Sequence, residues 1–140
     1  MHIALLEDPS IMEILTVALE RQGHTAISFP DAILAITACI ESQIDLLITE
    51  IKLPHSAIDG LDTIRLIQLR RPAFPALILS IYSRSQIAAM CGDLHNVSVL
   101  QKPFCKAQFD EKVRFLQSSV PSTPPCKPRL PQPQSARLSL

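Results

Sequence analysis

The chain is poor in glycine, with only Gly23, Gly60 and Gly92 among 140 residues. Three isolated glycines cannot build the GxxxxGK[ST] or GxGxxG loops that cradle phosphate-bearing cofactors. The turn after the first apolar run is Glu7-Asp8-Pro9. It repels phosphate, whereas a cofactor loop offers amide groups to it. A flavodoxin-like or nucleotide-binding α/β enzyme is therefore the alternative reading of this chain. No apolar run approaches the roughly 18 residues that would cross a bilayer. MHIALLED meets an acid pair too early for a signal peptide, so a cytoplasmic address and no membrane contact are expected. The four cysteines, Cys39, Cys91, Cys105 and Cys126, form no CxxC pair. That spacing gives no zinc signature, and reduced thiols, mostly buried as small hydrophobes, are expected. Net charge is also absent: 13 basic residues balance 13 acids. With no basic excess and no helical period after residue 118, direct nucleic-acid binding is not expected.

What is present is apolar and ordered in kind. Hydrophobic residues make up 47% of the chain, enough for one domain with its own core. Residues 1–118 hold all 13 acids and 10 of the 13 Lys and Arg, a net −3. Residues 119–140 carry the remaining three cations, six of the twelve prolines and no aromatic. The first segment is expected to be the domain, and the second a mobile, polyproline-like tail. The PxxP spacings of that tail, such as Pro121/Pro124, could dock a partner.

Along the body, short apolar runs alternate with stretches of helical period. Strands are expected at His2–Glu7, 25–28, Ile44–Glu50, Ala76–Ser80 and Val97–Leu100. Helices are expected at 8–23, Pro30–Gln43, Gly60–Arg71, Ser83–Cys91 and Lys106–Leu116. Ser10 and Glu13 suggest a capping box on the first helix, and Gly23 its exit. Ile33, Ile36 and Ile40 are expected on the buried side of the second. The strand runs barely alternate, which implies burial on both faces. Five strand–helix repeats with such strands point to an α/β fold: a doubly wound, five-stranded parallel sheet between two helical layers.

Sites in such sheets form at the carboxyl ends of the strands. There this chain places Glu7 and Asp8, Glu50, Ser80, and Lys102-Pro103. If the first strand lies centrally beside the third, these side chains converge on one crevice. Glu7, Asp8 and Glu50 would favour a hard divalent cation, magnesium best of all. Lys102 and Ser80 suit a phosphoryl oxygen. The plainer alternatives are helix caps for Glu7 and Asp8, a solvated strand end for Glu50, and surface turns for Ser80 and Lys102.

The runs IALLEDPS, DLLITEIKLP, PALILS and LQKPF resemble, in order and spacing, the receiver domain of bacterial two-component response regulators. The resemblance spans roughly residues 2–117. It implies the (βα)5 flavodoxin-like receiver fold, magnesium on Glu7, Asp8 and Glu50, and phosphoryl sensing by Ser80 and Lys102. It also implies a cis bond before Pro103 and a signalling rather than enzymatic role. The expected partner is a histidine kinase or a downstream signalling protein. The expected docking or dimer face combines the fourth helix, fifth strand and fifth helix.

Three departures from that family stand out. Glu50 occupies the position of the phospho-accepting aspartate, and its extra methylene displaces the carboxylate. A misplacement near 1 Å can cost on the order of a hundredfold in transfer. The loop from His55 to Asp59 is about two residues longer than the family turn, and Val99 replaces the aromatic switch residue. A receiver-like module independent of phosphorylation, or constitutively active-like, is expected, with weakened magnesium binding and no output domain in these residues. Asp45 cannot substitute for Glu50, because it lies roughly 16 Å away at about 3.3 Å per residue.

Overall fold

The computed structural model describes residues 1–54 and 56–119. Five strands and five helices alternate: β1 (His2–Leu6), α1 (Pro9–Arg21), β2 (Thr25–Ser28), α2 (Ala32–Glu41) and β3 (Leu46–Thr49) come first. They are followed by α3 (Gly60–Arg70), β4 (Ala76–Ser80), α4 (Arg84–Met90), β5 (Val97–Gln101) and α5 (Lys106–Ser119). The strands form one sheet in the order β2-β1-β3-β4-β5, and every pairing is parallel. This is the doubly wound, five-stranded parallel sheet that the strand–helix repeats predict.

The lack of alternation in the strands has a direct cause. Ala4, Leu6, Leu47, Ala76 and Ile78 enter one core, shared with Ala35, Cys39, Ile64, Ile67 and Ile87 from α2, α3 and α4. Their strand neighbours Ile3, Leu5, Leu46, Ile48, Leu77 and Leu79 enter the other, with Leu15 and Leu19 of α1 and Phe109 and Val113 of α5. Successive side chains point to opposite faces, so two covered faces require apolar residues at every position.

Short polar side chains start the helices. Asp8, Asp31 and Asp59 accept hydrogen bonds from the amides of Ser10, Leu34 and Asp62, starting α1, α2 and α3. Ser83 and Gln86 form a reciprocal capping box on α4. The expected box of Ser10 and Glu13 on α1 is not the cap; the carboxylate of Asp8 takes the Ser10 amide at 2.9 Å instead. Gly23 leaves α1 with φ +88°, the left-handed region in which a side chain is strained.

On α2 the buried stripe is Ala32, Ala35 and Cys39, and Ile33 is 56% exposed, contrary to expectation. Small side chains let the helix approach the sheet, which turns the larger Ile33 outward. Ile36 and Ile40 are half-buried. Helix α5 runs through Ser119, one residue past the expected domain limit. The rest of the expected proline-rich tail lies outside the described residues.

Candidate functional site

Because β1 pairs with β3, Leu6 stands beside Thr49, and the chain leaves both strands at the same rim. Glu7 and Glu50 are the next residues, so the register alone makes them neighbours. Lys102 follows β5 and returns to this rim because its amide donates to the carbonyl of Ser80 at 2.7 Å. The peptide bond between Lys102 and Pro103 is cis.

The three charges meet. The Lys102 ammonium lies 2.8 Å from Oε2 of Glu50 and 3.1 Å from Oε2 of Glu7. The first contact is a hydrogen bond. The second is coulombic, because Oε2 of Glu7 is buried and accepts no hydrogen bond. Glu7 Oε1 accepts from the Asp8 amide at 2.9 Å. Glu50 uses both its oxygens within the chain, Oε1 taking the amide of Ile51 at 2.6 Å.

Burial raises the Glu7 carboxyl above its usual range; the Asp8 amide and Lys102 pull it down without cancelling the effect. For Lys102, burial favours the neutral amine, but Glu50 and Glu7 outweigh it and raise its value. The cation is therefore held firmly charged between two acids.

Not every candidate residue joins them. Asp8 uses Oδ1 to cap α1, accepting from both the amide and the hydroxyl of Ser10. Ser80 is fully buried at the end of β4, and its hydroxyl accepts from the amide of Tyr82 at 3.2 Å, with no hydrogen bond to Glu50. Val99 of β5 pairs with Ile78 of β4 and packs half-buried on the α2–α4 side of the sheet. Asp59 serves as the cap of α3, and Asp45 binds the amide of His2 at the opposite rim. Among the described residues, no three His, Cys, Asp or Glu side chains are grouped to hold a metal ion. The acids Glu7 and Glu50 face the ammonium of Lys102 instead.

One residue at this rim carried no sequence signal beyond its rarity. Gly60 opens α3 against the end of β3, its amide donating to the Ile51 carbonyl at 2.7 Å. A Cβ here would lie 2.1 Å from the carbonyl oxygen of Glu50. Only glycine allows α3 to start this close to the residue that carries the site's carboxylate.

Fold and rim together define a doubly wound α/β domain with an ionic site at the strand ends. The chain belongs to the response regulator receiver domain family, whose model matches residues 4–114. It is a receiver domain of the two-component signalling type. The chain is 26% identical over 114 residues to the DNA-binding transcriptional regulator NtrC of Proteus hauseri, covering 81% of this chain. The corresponding Escherichia coli K12 protein is 27% identical over the same length. The chain spans only 23% of either relative.

Among solved structures, the receiver domain of a sensor histidine kinase from Pseudomonas aeruginosa is similar, with a TM-score of 0.67 and 24% identity. The match covers 84% of this chain and 94% of that one, which is described with magnesium coordinated in its active site cleft. The receiver domain of Francisella response regulator 1452 gives a TM-score of 0.72 at 17% identity, over 84% and 96% of the two chains. These structural likenesses establish the fold.

Proposed function

We propose that this receiver domain signals by protein–protein interaction without being phosphorylated, with Glu50 standing in place of the phospho-accepting aspartate. The carrying observation is that both carboxylate oxygens of Glu50 are engaged, one by the Ile51 amide and one by Lys102. A nucleophilic carboxylate needs a free oxygen held in line with the incoming phosphoryl group. Glu50 meets that need poorly, since each oxygen already accepts a hydrogen bond from within the chain, and the charge of Lys102 is compensated by Glu50 and Glu7 before any phosphoryl group arrives.

The contact with Lys102 imitates one part of a phosphoryl interaction, while Ser80 stays on the Tyr82 amide. Mimicry thus reaches the lysine and omits the hydroxyl, in keeping with one carboxylate charge against nearly two on a phosphoryl group. We read the site as closed by charge. Magnesium affinity at Glu7, Asp8 and Glu50 is low for the same reason, since Lys102 already compensates the acids.

The partner is a protein, a histidine kinase or a downstream signalling protein, docking on the face of α4, β5 and α5. A hollow of about 430 Å3 on that face, lined by Arg84, Leu100, Gln108, Glu111 and Phe115, supports this assignment. The proline-rich segment after α5 assists docking. A cytoplasmic address agrees with the absence, among the described residues, of any helix long and apolar enough to span a membrane. Neither direct nucleic-acid binding nor catalysis is part of this reading.

The test is intact-mass measurement after treatment with a small phosphodonor and magnesium. The wild type should stay unlabelled, and Glu50→Asp should gain a phosphoryl adduct. A stoichiometric adduct on the wild type would overturn the reading.

A further inference from the structure

A groove of about 450 Å3 separates α1 from the start of α5, on the side of the sheet away from α2, α3 and α4. Ile14, Val17, Phe104 and Phe109 line it together with the charged Glu13, Arg21 and Lys106, the last of these paired with Asp110 on its own helix. Its outer side chains are unusually apolar for a helix surface: Ile14 is 69% exposed and Val17 43%. The adjoining hollow continues this surface through Phe104 to Ile81, itself 68% exposed. Exposed apolar surface that runs continuously across elements marks an interaction site.

The charges on α1 say which partner fits. Glu13 and Arg21 are exposed, and neither makes an ion pair or side-chain hydrogen bond with a described residue. They lie four residues before and four residues after Val17, about 6 Å along the helix in each direction at ~1.5 Å per residue. At about 100° per residue, Glu13, Val17 and Arg21 also share an arc of roughly 80°. Opposite charges at equal distances from one apolar residue are self-complementary under a two-fold rotation, the symmetry of an isologous dimer.

We propose that this face is an interface between two copies of the chain, with the α1 helices antiparallel about an axis near Val17. Glu13 of each copy then pairs with Arg21 of the other, and Ile14 of each copy enters the groove beside the other's Phe104. The patch is little more than one helix wide, so the dimer is concentration-dependent rather than obligate. It leaves the edge strand β5 and the hollow between α4 and α5 open for a different partner. The inference stands apart from the reading of Glu50, because Glu13, Ile14, Val17 and Arg21, which carry it, make no contact with that carboxylate.

Sedimentation equilibrium of the full chain, from low micromolar to sub-millimolar concentration, tests it. The wild type should pass from monomer to dimer. Glu13→Arg and Arg21→Glu should each weaken association at least tenfold by setting like charges opposite one another. The double reversal, Glu13→Arg with Arg21→Glu, should restore it, and Ile14→Glu should abolish it. All of these positions are exposed, and far-ultraviolet circular dichroism verifies that each variant folds. A chain monomeric at every concentration overturns the proposal, whether the tail or another protein takes the groove. So does a dimer that both single reversals leave at wild-type strength.

Discussion

Lys102 bridges Glu7 and Glu50, its ammonium 3.1 Å from one carboxylate and 2.8 Å from the other. The side chain of Glu7 is only 2% exposed, and those of Glu50 and Lys102 are 17% and 20% exposed. Removing the shared cation leaves two neighbouring acids, one of them dry. Lys102→Met should therefore destabilise the fold by about 3 kcal/mol at neutral pH. The loss should shrink on acidification, as Glu7 takes up a proton and the repulsion disappears. Urea denaturation at two pH values measures both effects; a loss that is the same at both would remove the electrostatic explanation.

Glu7 gives a separate signature in pH. Its folded-state value lies above the ordinary 4.5 because burial penalises the anion. Between 4.5 and that raised value, the folded chain holds a proton that the unfolded chain has released. Stability then falls as pH rises through this window and levels off above it. Lys102 does not contribute there, since its own raised value lies above 10.5. Glu7→Gln should gain stability relative to the wild type as pH rises through the window. A difference between the two proteins that is flat from pH 4 to pH 7 (about the span at issue) would contradict the raised value.

Gly60 tests how the rim is built. An alanine methyl would lie 2.1 Å from the Glu50 carbonyl oxygen, a backbone atom with little freedom to yield. Gly60→Ala should cost about 3 kcal/mol, at the upper end of overpacking effects. It should also shift the Glu50 carboxylate away from Lys102, because the same backbone carries both groups. Heteronuclear NMR of the Ile51 amide, which donates to Glu50 Oε1 at 2.6 Å, reports that shift. An unchanged Ile51 resonance in a stable variant would show that the loop accommodates the methyl.

The convergence of Glu7, Glu50 and Lys102 was legible in the sequence because it follows from strand order and register, both set by runs such as DLLIT and ALILS. The disposition of the Glu50 oxygens was not, because it depends on a rotamer that returns one oxygen to the chain's own next amide. Ile33 was misplaced for a related reason. Hydrophobicity favours isoleucine in a core, yet Ala32, Ala35 and Cys39 let α2 lie closer to the sheet than a stripe of isoleucines would. Asp8 and Ser80 stand at the same rim as Lys102, but local bonds that the sequence does not reveal engage both. Asp8 meets Ser10 two residues on, and Ser80 meets Tyr82 two residues on. Such short-range partners are always within reach of a polar side chain.

The cysteines supply a probe of how the α2 side of the core opens. Cys39 is fully buried under α2, and burial pushes its thiol up to about 12, with Arg71 pulling weakly the other way. At pH 8 a thiol of that value is ionised to about one part in ten thousand, and the thiolate is the reactive form. Cys91 is also buried, its Sγ donating to the Ile87 carbonyl at 2.9 Å, and burial raises its value too. Cys105 is exposed at the start of α5, the exception among the described cysteines to the expected burial of most of the thiols. Iodoacetamide should therefore modify Cys105 in the native protein and leave Cys39 unmodified until the chain unfolds. Peptide mapping after pulses in increasing urea should give a Cys39 profile that coincides with global unfolding, because α2 and α3 close one shared core over the sheet. Modification of Cys39 well before the unfolding transition would mean that α2 opens on its own, and that the layer beneath Glu50 is less cooperative than its packing implies.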